Sequence, residues 1–448
     1  DTASDSVTID ADQHASTTVT FNSTATVNAA TSGGQSLTID TDSGAIAMQG
    51  AIGGSTALSA LTVNADGAGT VEITNIGTSS AAGVTGATAI GNTSTGTLTL
   101  DGTVYTTNAA TYTAATGGGN IDITGAATFT TSADNIAFNT SGVDLGANVE
   151  ITTGTGTDAG TVSFGGAIEA GTAGQETLTI DSGAGNVTFT GAIGLTNALG
   201  GLNVNATSGD GAGTITFSND IGDSSAGVKG TTAVGNSATA GIVFSEDTYT
   251  FDTGATTFTA VSSGDFDLNK GAATTFTTDG TAITFAGGEI DLADGSDLVI
   301  DTGAGAGAIT TGEIGGDSTE TVTIDAGTGT TSVGVIGTGT EIGTLSIGSV
   351  ENGGITLNGA ITTDGVITID GPITLATTAI TITTADDNIN LQGTVDGGKA
   401  LTLASGSGAV TVDGAIGGST ALTSLTVNSS GAGTVEITNI GTSSAAGV

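Results

Sequence analysis

The side chains that ordinarily do chemistry are few in this chain, and they are scattered. His14 is the only histidine, so a multi-histidine metal site within one chain is excluded, and a Ser-His-Asp triad would have to use that one residue. It is expected to be an exposed spectator. The basic residues are Lys229, Lys270 and Lys399, with no arginine, which leaves no phosphate clamp and no evident oxyanion partner. Cysteine is absent, which removes disulfides, thiol catalysis and thiolate metal sites together.

Carboxylates are the one reactive class in abundance, 44 of them, giving a formal net charge of -41. Paired carboxylates cleave polysaccharides when they flank one bond. Asp386 and Asp387 are adjacent, and in a strand they would point to opposite faces, a poor arrangement for shared chemistry. Asp265 and Asp267 would share a face with Phe266 turned inward, which a solvated strand explains equally well. No catalytic site, and no enzyme, is expected.

Turn aspartates could instead hold calcium. Asp66-Gly-Ala-Gly and Gly209-Asp-Gly-Ala-Gly have the flavour of calcium-binding repeats, but the Gly-Gly-x-Gly-x-Asp spacing does not recur every nine residues. Scattered Ca2+ sites are compatible with the composition, and no other cofactor is expected. Outward threonines, as in Thr381-Ile-Thr383 and Thr18-Val-Thr20, could match an ice lattice, yet on sequence they do not recur at one fixed place in each coil. The charge would repel nucleic acid and anionic membranes, so neither is an expected partner.

The elements beneath these residues repeat. Ala51–Val84 returns as Ala415–Val448 with differences only at Ser59, Ala60, Ala65 and Asp66, an offset of 364 residues. The chain therefore reads as one continuous array, residues 1–448, cut from a longer protein, with 51–414 as one large repeat and 415–448 as the start of the next copy. A shorter echo runs from Gly191 to Val228, with insertions near Gly209 and Asp210. There is no apolar run long enough to span a membrane and no signal peptide at residue 1, so any export signal is expected outside these residues.

Finer still, tetrads recur at a step of 24: Leu37-Thr-Ile-Asp40 to Leu61-Thr-Val-Asn64, with the same step leading to Leu202, Val322 and Leu425. In each tetrad the apolar pair points one way and the polar residues the other. β-Branched residues suit strands, while Asp, Asn and Gly suit turns, so the chain is expected to bend where each tetrad closes. Stacking such circuits puts Leu37, Ile39, Leu61 and Val63 in internal ladders, as it does Leu178, Ile180, Leu202 and Val204. The same holds for Leu298, Ile300, Val322 and Ile324, and for Leu401, Leu403, Leu425 and Val427. Gly-x-Ile-Gly segments at Gly50, Gly191, Gly312, Gly334 and Gly414 read as corners.

The expected fold is all-β, an elongated parallel β-helix or β-solenoid with coils of about 24 residues. At about 4.8 Å per stacked strand this makes roughly 18 coils and a rod on the order of 90 Å. Regular aliphatic alternation argues against disorder, and the short step and absence of tryptophan argue against immunoglobulin-like sandwiches. Neither end shows a cap, so each open edge is expected to continue into further repeats or to dock onto another subunit.

Through Thr383-Thr-Ala-Asp-Asp-Asn-Ile-Asn-Leu391, then Gly397–Leu403 and Val410–Gly417, the chain resembles the giant β-strand-repeat surface proteins of bacteria. These are similar in style to the filamentous haemagglutinin and autotransporter adhesin group. Thr130–Asn139 is a looser version of the same phrase. The resemblance implies right-handed coils, export to the cell surface, and structural or adhesive work as an extracellular fibre, stalk or coat. It also implies self-association, with other cells or surface polysaccharide as partners. A calcium-stabilised, S-layer-like matrix protein is the alternative.

Overall fold

The computed structural model describes residues 5–11, 16–207, 213–337, 339–349, 353–431, 433–442 and 446–448. The chain divides into two compact units, Asp1–Ala240 and Gly241–Val448. Both are built from short strands paired in parallel, and no helix occurs among the described residues. The architecture is a β-solenoid of coils of about 24 residues, making about 17 turns where the sequence step suggests 18.

In the first unit, Ser6–Ala11, Ser36–Thr41, Ala60–Ala65 and Thr88–Ile90 begin one ladder. Val19–Phe21, Ile46–Met48, Val71–Ile73 and Thr97–Leu100 begin a second. A third starts as single-residue bridges, Val27 to Ile52 to Ile76 to Tyr105, and widens into strands such as Thr128–Thr130 and Thr177–Ser182. Each coil thus has three sides.

The alternation does the sorting. In Ser36–Thr41 every second residue is buried, and Leu37 stands over Leu61 and Ile39 over Val63. Leu178 and Ile180 stand over Leu202 and Val204 in the same way, all four buried. In the second unit Leu298 and Ile300 meet Val322 and Ile324, again fully buried. Leu401 and Leu403 are buried beneath Leu425 and Val427. Those last two are only half-buried, because among the described residues Ser424–Ser429 is paired on one side alone, with Ala400–Gly406.

The tetrads do not bend where their sequence predicts. The chain carries one more inward residue, a hydroxyl, before turning: Thr41, Ser182, Thr302 and Ser405 are fully buried. A buried hydroxyl needs an acceptor. Each of these donates to the carbonyl that closes the turn, at Gly44, Gly185, Gly307 and Gly408, over 2.9, 2.6, 3.0 and 2.7 Å. The tetrad aspartate then caps the turn from outside, as Asp301 and Asp325 accept the Gly303 and Gly327 N–H groups at 2.7 and 2.9 Å.

The Gly-x-Ile-Gly segments are more than corners. Ile52, Ile193, Ile314, Ile336 and Ile416 are buried members of a ladder. Their glycines permit the close approach this requires: a Cβ on Gly50 would lie 1.6 Å from the Ala25 carbonyl oxygen. Gly53, at φ +66°, would place one 2.0 Å from the Gly83 oxygen. Gly417, at φ +67°, meets the Gly447 oxygen at the same 2.0 Å, so both copies of the duplicated segment build one and the same corner.

A column of rings runs inside the first unit. Tyr112, Phe138, Phe164, Phe189 and Phe217 stack in sequence with centroids 5.3, 4.8, 5.6 and 5.1 Å apart and planes within 16° of parallel. All five are fully buried, and the Tyr112 hydroxyl has no hydrogen-bond partner.

Candidate functional site

The outer face of the second unit gathers carboxylates by the same period-2 rule that buries its core. Asp265–Leu268 and Glu289–Leu292 pair in register, so Asp265 stands over Glu289 and Asp267 over Asp291, while Phe266 and Ile290 face inward and are buried. The next coil adds Glu313. A groove of about 550 Å³ beside this column is lined by Asp265, Glu289 and Glu313 with Ser262, Ser263 and Asn358. Stacked strands lie about 4.8 Å apart, a spacing at which like charges repel appreciably.

Partial burial, and then the neighbouring Asp265 and Asp291, hold the Asp267 carboxyl above the usual carboxylate range. Glu289 is raised by partial burial, then by Asp291, Glu313 and Asp265. Asp291 is raised by partial burial and by Asp265. A smaller column occurs in the first unit, where Asp122 stands over Asp144 and Asp144 over Glu169. There the Asn120 amide donates to both aspartates, and Asp144 is still raised, by partial burial and by Asp122.

The second-unit column has a sign that can be worked out. Carboxyls with a folded-state pKa above the unfolded value bind more protons folded than unfolded across that interval. Their contribution is therefore most favourable at low pH and is lost as pH rises through the interval, so at neutral pH the charges oppose folding. The groups facing Asp267 are Asp265 on its own strand and Asp291 on the next, with Val243 from the preceding coil. Asp267→Asn is expected to raise the urea midpoint of unfolding at pH 7, and to matter less once the pH falls below the ordinary carboxylate range. A lower midpoint at pH 7 would contradict the repulsive reading of this column. Glu320 and Asp386 run the other way. Burial works to raise Glu320, but hydrogen bonds from the Asp317, Glu320 and Gly295 N–H groups and the Thr319 hydroxyl together hold it below the usual range. Hydrogen bonds from Ser407 hold Asp386 low in the same way, so the contribution of both is lost on acidification.

Other sequence candidates fall into structural roles. Asp386 and Asp387 lie in the turn after Ala379–Thr384 and not within a strand. Asp386 accepts the Ser407 N–H at 2.8 Å, and the Asp387 carbonyl accepts the Thr384 hydroxyl at 2.6 Å. Asp386 thus ties its turn to the next coil, while Asp387 closes its own turn. Asp66 likewise accepts from the Asn92 amide of the following coil. Lys270 forms an ion pair with Glu246. His14, Gly209 and Asp210 lie outside the described residues. Among the described residues no group of three or more His, Asp or Glu side chains is arranged to hold a metal ion.

The outward threonines line up singly and not as Thr-x-Thr pairs. Thr257, Thr284, Thr310, Ser332, Thr356 and Thr374 occupy one outward column through six consecutive coils. The variable loop lengths between them hide this fixed position in the sequence. The column is one residue wide, since the next outward positions along these strands include Ala286, Gly334 and Ala376. Thr381 continues into Thr402 and Thr426, whereas Thr383 meets Ala404. A two-dimensional Thr-x-Thr lattice is not formed there.

Sequence reasoning missed a set of clamps between coils. Asn28 accepts the N–H groups of Ser55 and Thr56 at 2.9 and 3.1 Å. Glu169 does the same for Thr196 and Asn197, and Asp396 for Ser419 and Thr420. All three serve the turn just after a Gly-x-Ile-Gly segment, so an acceptor 23 to 28 residues ahead of that turn is the signal that could have found them. No protein-family model, no curated protein and no solved structure matches this chain.

Proposed function

We propose that this protein is a structural and adhesive component of a bacterial cell surface, working as part of an extracellular fibre, stalk or coat. The observation that carries this reading is the run of in-register parallel ladders in each unit, in which strand after strand pairs along one direction and buries aliphatic or aromatic columns. Such an array resists force through many cooperative hydrogen bonds and through no single residue. The acidic, hydroxyl-rich exterior keeps so repetitive an object in solution. It supports surface exposure better than it supports chemistry on a small substrate.

The test is immunogold microscopy on intact source cells, with antibody raised against this chain. Label on the outer surface, together with weakened attachment or cohesion when the gene is removed, is the expected result. Label confined to the cell interior would end this reading. The second reading is a matrix protein stiffened by calcium, in which the in-register carboxylates of Asp265, Asp267, Glu289 and Asp291 would draw divalent cations diffusely and not into a preformed cage. In that case millimolar Ca2+ should raise the unfolding midpoint of the parent more than that of Asp267→Asn.

A further inference from the structure

One outer face of the first unit is free of charge at every outward strand position. Seven strands stack along it, from Ala60–Ala65 through Ala110–Thr113 and Val162–Phe164 to Thr214–Phe217, and their outward residues are Ala, Thr, Ser and Asn alone. One column in register runs through Ala89, Thr111, Ala137, Ser163, Thr188 and Thr216. Another side of the same coils has the opposite habit: Glu72, Thr99, Asp122, Asp144 and Glu169 stand one over another. The carboxylates next to the neutral face in sequence, Asp66, Asp134, Asp158 and Asp220, stand in the connections along its edges. A chain of formal charge -41 has thus kept one side of these coils clear.

The neutral face is also stiff. Tyr112, Phe138, Phe164, Phe189 and Phe217 alternate with its outward residues on the same strands, so the stacked ring column lies directly behind it. Along one edge the coils are tied to each other, because Asn135 accepts the Thr161 N–H and Asn186 the Thr214 N–H, each at 2.9 Å. Small hydroxyl, amide and methyl side chains repeated in register are the kind that interdigitate when two sheets pack face to face, about 10 Å apart.

We propose that the first unit pairs side by side with a second copy of this chain, neutral face against neutral face. The claim rests on the structural reading above and names the partner of one face. Two copies so acidic repel each other wherever their carboxylates meet, and this contact leaves the Glu72-to-Glu169 column on a side that it does not use. A patch that meets itself is isologous and closes at two copies. Seven coils at about 4.8 Å each, by five residues at about 3.3 Å each, bury on the order of 1,000 Å² over the two copies. That is the lower end for a specific interface, so the pairing is weak and depends on concentration.

The experiment is sedimentation of the whole 448-residue chain over a range of concentrations, in about 0.15 M salt and again at higher salt, where repulsion between carboxylates is screened more strongly. The parent is expected to pass from monomer to dimer as concentration rises, and to do so more readily at higher salt. Ser163→Glu puts a charge in the middle of the face at a half-buried position, and the two-fold contact brings it in twice, so association should weaken at least tenfold. Thr188→Glu repeats the test one coil away. Asn203→Glu is the control: it adds the same charge on another side of the unit, between Thr179 and Ala233, and should associate as the parent does. Circular dichroism checks that each variant keeps the fold.

Ser163→Glu and Thr188→Glu chains that pair as tightly as the parent would overturn the choice of face, as would an equal loss of pairing in Asn203→Glu. A folded parent that stays monomeric at every concentration and salt would overturn the pairing itself and leave this face to a partner other than a second copy. None of these outcomes moves the immunogold label, so failure of the pairing and failure of the surface reading are told apart.

Discussion

Replacing Ile39 with Asp is expected to remove at least about 4 kcal/mol from the first unit, the scale reached when an unpaired charge is buried. Ile39 is fully buried, with Ile9 beneath it and Val63 above it in register. A carboxylate there would face aliphatic side chains on both sides with no cation to meet it. It must either ionise without water or take up a proton and remain an unsatisfied polar group. Because each coil touches only its neighbours, the loss should begin locally and broaden the urea transition before the remaining coils follow. Thr38→Asn, one residue away on the outward face, should leave the transition within about 0.5 kcal/mol of the parent. An Ile39→Asp midpoint equal to the parent's would place Ile39 outside the core.

Truncating the middle of the ring column should cost nearly as much. Phe164 lies between Phe138 and Phe189, 4.8 and 5.6 Å from them, with planes within 8° of parallel. Phe164→Ala removes a buried ring and leaves a cavity between two others, a change that costs about 3 to 5 kcal/mol elsewhere. Rungs above and below are held by backbone pairing, so the gap cannot collapse fully. Phe21→Ala is the control, because Phe21 is half-exposed in its coil and should lose much less. Equal losses from the two substitutions, measured by urea unfolding, would mean that the column is not a continuous packed core.

The comparison between these two residues shows what the sequence makes legible. Ile39 could be assigned inward at once, because Leu-Thr-Ile-Asp alternates cleanly and its echo follows after 24 residues. The ring column could not, since Tyr112, Phe138, Phe164, Phe189 and Phe217 are separated by loops of changing length and look like isolated aromatics. The threonine column from Thr257 to Thr374 was hidden in the same way. What fixes both is the hydrogen-bond register between coils, which local periodicity does not encode when insertions are absorbed at corners. The carboxylate face was partly readable: Asp265 and Asp267 had to share a side of one strand, but their stacking on Glu289 and Asp291 is set by the coil that follows.

The most direct test of the stacked-coil account is a set of distances down one outward column of the first unit. Thr38 is linked in register, coil by coil, to Ser163, Thr188 and Thr216. The chain has no cysteine, so paired Thr38→Cys variants with Cys at each of these positions take spin labels uniquely. Pulsed dipolar spectroscopy is expected to give about 24, 29 and 34 Å, a rise of about 4.8 Å for each added coil. Separations that do not climb by one strand spacing per coil would contradict the parallel stack.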